Sequence, residues 1–138
     1  LNPASVPAAT IATWTEEGVV ECLGRVTDMP ALFAASHIVC LPSYREGMPK
    51  SLIEATAAGR AIVTTDVPGC RAVVNDGVNG LLVPPRDPAS LADALQRLIE
   101  QPALRRAMGR RGRERAEAEF GIDDIVAKTL SIYSEALG

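Results

Sequence analysis

Cysteine, histidine, excess positive charge and long apolar runs are all scarce in this chain, and each scarcity excludes something. The 138 residues contain three cysteines, Cys22, Cys40 and Cys70, an odd number without CxxC spacing. Such a set does not build a disulfide framework. Cys22 and Cys40 lie inside apolar runs, so buried free thiols and a cytosolic setting are expected. One histidine, His37, and scattered carboxylates offer no ligand cluster, so neither a metal nor another cofactor is expected. No apolar run reaches the roughly 20 residues a membrane helix needs, and no leader pattern opens the chain. Lysine and arginine number 14 against 17 acidic residues, giving a net charge of −3. That deficit argues against a nucleic-acid partner held through phosphates. With 47% apolar and 22% charged residues, the composition is that of one ordinary globular domain.

What is present is alternation. The runs "VVECLG" (19–24), "IVCLP" (38–42), "AIVTT" (61–65) and "GLLVP" (80–84) are short, branched and bounded by Gly or Pro. They predict strands buried on both faces, as a parallel sheet requires. Between them, "DMPALFAAS" (28–36) and "SLIEATAAG" (51–59) predict short helices, the second stopped by Gly59, and "CRAVVNDGVNG" (70–80) predicts a helical turn ending in a chain reversal. The fold expected is a doubly wound, Rossmann-like α/β sheet with a helical C-terminal tail. In that tail Asp87 caps a helix opened by Pro88, with Leu91, Leu95, Leu98 and Ile99 as its apolar stripe. A second helix restarts at Pro102, and Ile122, Val126, Leu130, Tyr133 and Leu137 line one face of a third. Residues 1–18 predict a loop and one helix, with Ile11 and Trp14 on a common face and Gly18 ending it. Four strands are few for such a sheet, which suggests that earlier βα units are missing from it.

Ligands of open parallel sheets bind beyond the carboxyl ends of the strands. Three loops meet that rim: "GRVTD" (24–28), "SYREGMPK" (43–50) and "DVPGCR" (66–71). The helix that follows the second loop points its amino end there, where unpaired N–H groups and the helix dipole suit a diphosphate. Two carboxylates, Glu46 and Glu54, lie around that helix start. Ser51-x-x-Glu54 also fits a capping box, and Glu46 alone fits a solvated loop charge, so spacing does not choose between them. A Glu beside a phosphate seat must address hydroxyls, as carboxylates do with ribose in other dinucleotide-binding folds.

The stretch "EGMPKSLIE" resembles the E-x7-E motif of the retaining, nucleotide-sugar-dependent group 1 (family 4) glycosyltransferases, and the likeness extends from Gly24 to Leu95 and into the tail. It implies the C-terminal donor domain of a GT-B enzyme, whose N-terminal acceptor domain lies elsewhere in the same chain. "REGMPKSLIEA" with "TDVPGCR" is most similar to members that build lipopolysaccharide, O-antigen and other bacterial surface polysaccharides. By this resemblance Glu46 holds a hydroxyl of the donor sugar and Glu54 the ribose hydroxyls. Backbone amides of Gly47 and Met48 face the sugar, those of Ser51 and Leu52 the diphosphate, and Val26 and Thr27 the base. Pro49 stands where the family often has glycine, which removes one amide contact to the sugar. Lys50 leans towards the diphosphate or the acceptor, or is a plain surface lysine. The implied partners are a UDP-sugar donor and a saccharide or lipid-linked acceptor.

His37 precedes a strand on the edge away from this rim, which suits packing better than catalysis. Arg105, Arg106, Arg110, Arg111, Arg113 and Arg115 form a basic run that reads first as a solvated helix face and second as an attraction to the inner face of the cytoplasmic membrane. The expected activity is sugar transfer by a longer chain, the 138 residues alone being inactive. The alternatives are a stand-alone nucleotide-binding module and a GT-B sugar-nucleotide epimerase.

Overall fold

The computed structural model describes residues 6–121, so the apolar face expected from Ile122 to Leu137 lies outside the described residues. Helix α1 (Ala8–Glu16) comes first, then α2 (Met29–Ala35), β1 (Ile38–Leu41), α3 (Lys50–Ala57), β2 (Ala61–Thr65), α4 (Pro68–Val73), β3 (Gly80–Val83), α5 (Pro88–Glu100) and α6 (Pro102–Glu119). The three strands pair in parallel in the order β1-β2-β3.

Side-chain alternation along those strands divides the core in two. Val39, Leu41, Ile62 and Leu82 pack on one face with Phe33 of α2, Leu52 and Ala55 of α3, and Cys70 and Val73 of α4. Ile38, Ala61, Val63, Leu81 and Val83 pack on the other face with Ala94 and Leu98 of α5 and Met108 of α6. Helices on both faces are why every residue of β2 is buried. The Rossmann-like α/β expectation holds.

The expected strand over 19–24 does not form. Val19 and Leu23 are 67% and 52% exposed, and the N–H groups of Val19 and Val20 both turn back to the Trp14 carbonyl at the end of α1. A strand exists only with a partner. Among the described residues no segment pairs with 19–24, the sheet being β1-β2-β3. Cys22 is exposed for the same reason. Cys40 is exposed as well, and Cys70 is the buried thiol, which reverses the expectation for the first two.

Helix ends are settled by short-range chemistry. Asp28 and Asp87 cap α2 and α5, each accepting a backbone N–H three residues on, from Ala31 and Ser90, at 3.0 Å. The Ser90 hydroxyl, then the Ser90 amide, hold the Asp87 carboxyl below its ordinary range. This cap is therefore complete at neutral pH and is lost only as pH falls through that lowered value. Gly59, at φ 68°, ends α3 in the left-handed region. A Cβ on Gly109 of α6 would overlap the Gly59 carbonyl, so α6 crosses the end of α3 at backbone contact.

That crossing gives the basic run its work. Arg105 donates to Leu98 O at the end of α5 (3.0 Å), and Arg113 to Ala57 O at the end of α3 (2.6 Å). Arg115 donates to Ala72 O and Val73 O at the end of α4 (3.0 and 2.9 Å). Three of the six arginines thus sit on the negative ends of three helices, each interaction contributing about 0.3–1 kcal/mol. The solvated-face reading survives only for Arg106, Arg110 and Arg111.

The α5 stripe is also narrower than expected. Leu98 is fully buried, whereas Ile99 is 62% exposed. Leu98→Ala should cost about 2–5 kcal/mol, while Ile99→Ala should stay within about 0.5 kcal/mol. Chemical denaturation of the two variants measures this, and similar losses for both would contradict the packing described.

Candidate functional site at the carboxyl rim

Because all three strands run parallel, the loops after β1, β2 and β3 emerge on one rim, and the amino ends of α3 and α4 face it. The loop after β1, residues 42–49, carries Glu46 and leads into α3. Pro49 is the cap residue of α3, without a side-chain cap bond, and Lys50 is the first helical residue. The capping-box alternative is therefore ruled out: Ser51 is the second residue of α3 and Glu54 the fifth, a full turn inside. The Leu52 N–H bonds to Pro49 O at 3.1 Å, and the Leu52 side chain is fully buried in the core. Of the two amides expected to face a diphosphate, only that of Ser51 is open, joined by that of Lys50. Neither has a partner among the described residues.

Glu46 is half-buried, and its carboxylate is held by the Ser43 hydroxyl at 2.6 Å. The loop bearing it rests on the segment after β2. The Thr65 hydroxyl donates to Ser43 O, and a Cβ on Gly69 would overlap the Gly47 carbonyl and crowd that of Glu46. Gly47 and Met48 stand exposed at the tip of the loop, with Pro49 buried beneath. Ser43, Thr65 and Gly69 fall inside the quoted strand and rim loops, but no local pattern marks them as supports of Glu46. The signal for Gly69 is its place just after Pro68 in the rim loop 66–71. The contact itself spans 22 residues and carries no local pattern.

Glu54 faces a different direction. With Met29, Pro30, Phe33, Ala57, Ala58 and Arg113 it lines a groove of about 300 Å³ between α2 and α3. Val26 and Thr27 lie in the turn just before α2, Val26 half-buried and Thr27 exposed. Glu54 thus lies over the groove beside α2, whose start Val26 and Thr27 precede, whereas Glu46 lies in the loop before α3. Lys50 reaches Glu54 at 3.4 Å with its own side chain 87% exposed. Such an exposed pair contributes about 0.3–0.5 kcal/mol, so a ligand hydroxyl competes for Glu54 at small cost. His37 is exposed and precedes β1, on the amino side of the sheet away from this rim.

Among the described residues, no group of three or more His, Cys, Asp or Glu gathers closely enough to hold a metal ion, and no helix is long and apolar enough to cross a membrane. What the rim offers is hydrogen-bond acceptors for hydroxyls, flanking backbone donors for an anion.

Residues 4–101 match the family described as Glycosyl transferases group 1. The chain is 40% identical over 110 residues to a D-inositol 3-phosphate glycosyltransferase of Salinispora tropica, covering 80% of this chain and 23% of that protein. It is 28% identical over 131 residues to the N,N'-diacetylbacillosaminyl-diphospho-undecaprenol alpha-1,3-N-acetylgalactosaminyltransferase of Campylobacter jejuni, covering 95% of this chain and 35% of that one. Among solved structures, Anabaena HepE in complex with UDP-glucose superposes with a TM-score of 0.79 at 28% identity, over 89% of this chain and 36% of that one. The chain spans about a quarter to a third of the relatives it matches.

Proposed function

The chain belongs to the group 1 glycosyl transferases, and from that premise we propose that it is the donor-binding part of a longer retaining glycosyltransferase that uses a UDP-sugar. The observation that carries the reading is the start of α3: the amides of Lys50 and Ser51 are open, with Glu46 in the loop before them and Glu54 one turn on, over the α2 groove. A diphosphate on the opening turn of α3 has its charge met by backbone donors and the helix dipole. Glu54 then accepts the ribose hydroxyls beside Val26 and Thr27, and Glu46 accepts a hydroxyl of the sugar next to Gly47 and Met48. As the sugar leaves, charge grows on the diphosphate, where fixed donors stabilise it most. The likeness to HepE, solved with UDP-glucose, supports the donor class.

No metal is required in this scheme, because the leaving diphosphate is met by helix amides. The acceptor is bound by the remainder of the longer chain, so the 138 residues alone bind nucleotide without transferring sugar. A lipid-linked saccharide of surface-polysaccharide assembly, met at the cytoplasmic membrane face, is one acceptor class; the Campylobacter relative and exposed Arg106, Arg110 and Arg111 support it. A small phosphorylated polyol is the other, supported by the 40% identical Salinispora relative.

The test is transfer by the full-length protein across a panel of nucleotide sugars and both acceptor classes, with product configuration read by NMR. A UDP-sugar should be turned over with retention and at an unchanged rate in EDTA. Nucleotide binding without any turnover would point instead to a non-catalytic module. Loss of the rate in EDTA would remove the metal-free part of the scheme.

A further inference from the structure

We propose that Thr65 and Gly69, in the junction from β2 to α4, are positioning residues for Glu46. The inference rests on the reading of Glu46 as the donor-sugar contact, and it adds residues outside the Glu46–Glu54 stretch that set where that carboxylate stands. Three contacts form a chain. The Thr65 hydroxyl donates to Ser43 O, the Ser43 hydroxyl donates to Glu46 Oε1 at 2.6 Å, and Gly69 lies against the Gly47 and Glu46 carbonyls with no room for a side chain. Loop 43–47 therefore lies on residues 65–69 backbone to backbone.

The support beneath it cannot retreat. Cys70 and Val73 of α4 are fully buried. The far end of α4 is tied by Arg115 to Ala72 O and Val73 O, and by the buried Asn79 amide to Val73 O at 3.1 Å. A methyl group added at Gly69 thus meets a fixed helix on one side and an exposed loop on the other. The loop is what yields. A displacement of about 1 Å at a reacting group costs on the order of a hundredfold in rate. Glu54 and the opening turn of α3 contact the nucleotide from elsewhere, so nucleotide binding should be spared.

In the full-length protein, Gly69→Ala should lower kcat about 10- to 100-fold while the Kd for UDP and the KM for the UDP-sugar stay within about twofold. Thr65→Val should lower kcat several-fold, and Thr65→Ser, which keeps the hydroxyl, should restore it. Gly80→Ala is the control: its Cβ would meet Ile62 O at 2.5 Å, a clash at the start of β3, opposite the rim. It should lower the Tm and leave kcat per folded molecule unchanged. A folded Gly69→Ala variant with the parent kcat overturns the proposal. If that variant does not fold, equal rates for Thr65→Val and the parent overturn it. Should the parent show no transfer, or Glu46→Gln have no effect, the functional reading has failed on its own. A crystal structure of Gly69→Ala or Thr65→Val then still decides the positioning: residues 43–47 must shift while 50–57 stay, and an unmoved loop ends it.

Discussion

Glu46→Gln in the full-length protein lowers kcat for sugar transfer by about 10²–10³-fold and leaves the affinity for free UDP within about twofold. Glutamine keeps the size of the side chain and can still accept a bond from Ser43, so packing is preserved and the negative charge is what disappears. A sugar breaking from its diphosphate gains positive character at the reacting carbon. A carboxylate already oriented by Ser43 stabilises that state more than it stabilises the bound donor, so the loss falls on kcat. Removing one preorganised electrostatic partner of this kind costs about 2.7–4 kcal/mol of barrier. Isothermal calorimetry with UDP, beside steady-state kinetics, separates the two quantities. A parallel fall in UDP affinity would place Glu46 on the nucleotide instead.

The second large effect is expected at Glu54. Glu54→Ala should weaken UDP and the UDP-sugar equally, by about 10- to 100-fold, because the ribose is common to both. Hydrogen bonds to a charged group contribute about 1.5–3 kcal/mol each, which sets this range. The fold should be little affected. Among the described residues the Glu54 side chain is bonded only to Lys50, at the surface, and Lys50→Ala should accordingly change UDP affinity far less than Glu54→Ala does. Calorimetry with both ligands checks the equality. A loss confined to the UDP-sugar would move Glu54 from ribose to sugar, and equal behaviour of the Glu46 and Glu54 variants would dissolve the division of labour.

Much of this site was legible in the chain because its signals are local. A strand of branched residues, a Pro-bounded loop and a helix stopped by Gly59 lie within residues 38–59, so the amino end of α3 could be placed on the sheet rim from the sequence alone. Asp87 followed by Pro88 specified the start of α5 for the same reason. Most of the misplaced features depend on distant partners. "VVECLG" has the composition of a strand, yet composition cannot supply the neighbour whose backbone would pair with it. Arg105, Arg113 and Arg115 of α6 show no local sign of their work because the carbonyls they cap belong to α5, α3 and α4, as many as 56 residues away. Ser51 and Glu54 match a capping box in spacing, but the helix is capped two residues earlier, at Pro49, and Glu54 lies over the α2 groove.

The sequence by itself determined the order of the elements, both carboxylates and the loop–helix unit that carries them, since periodicity, caps and breakers act within a few residues. Only the tertiary structure decided what supports Glu46, where Glu54 faces and which arginines are committed to helix ends. Those outcomes follow from backbone segments meeting across the sheet, where close packing leaves room for a hydrogen atom at Gly69 and for nothing larger.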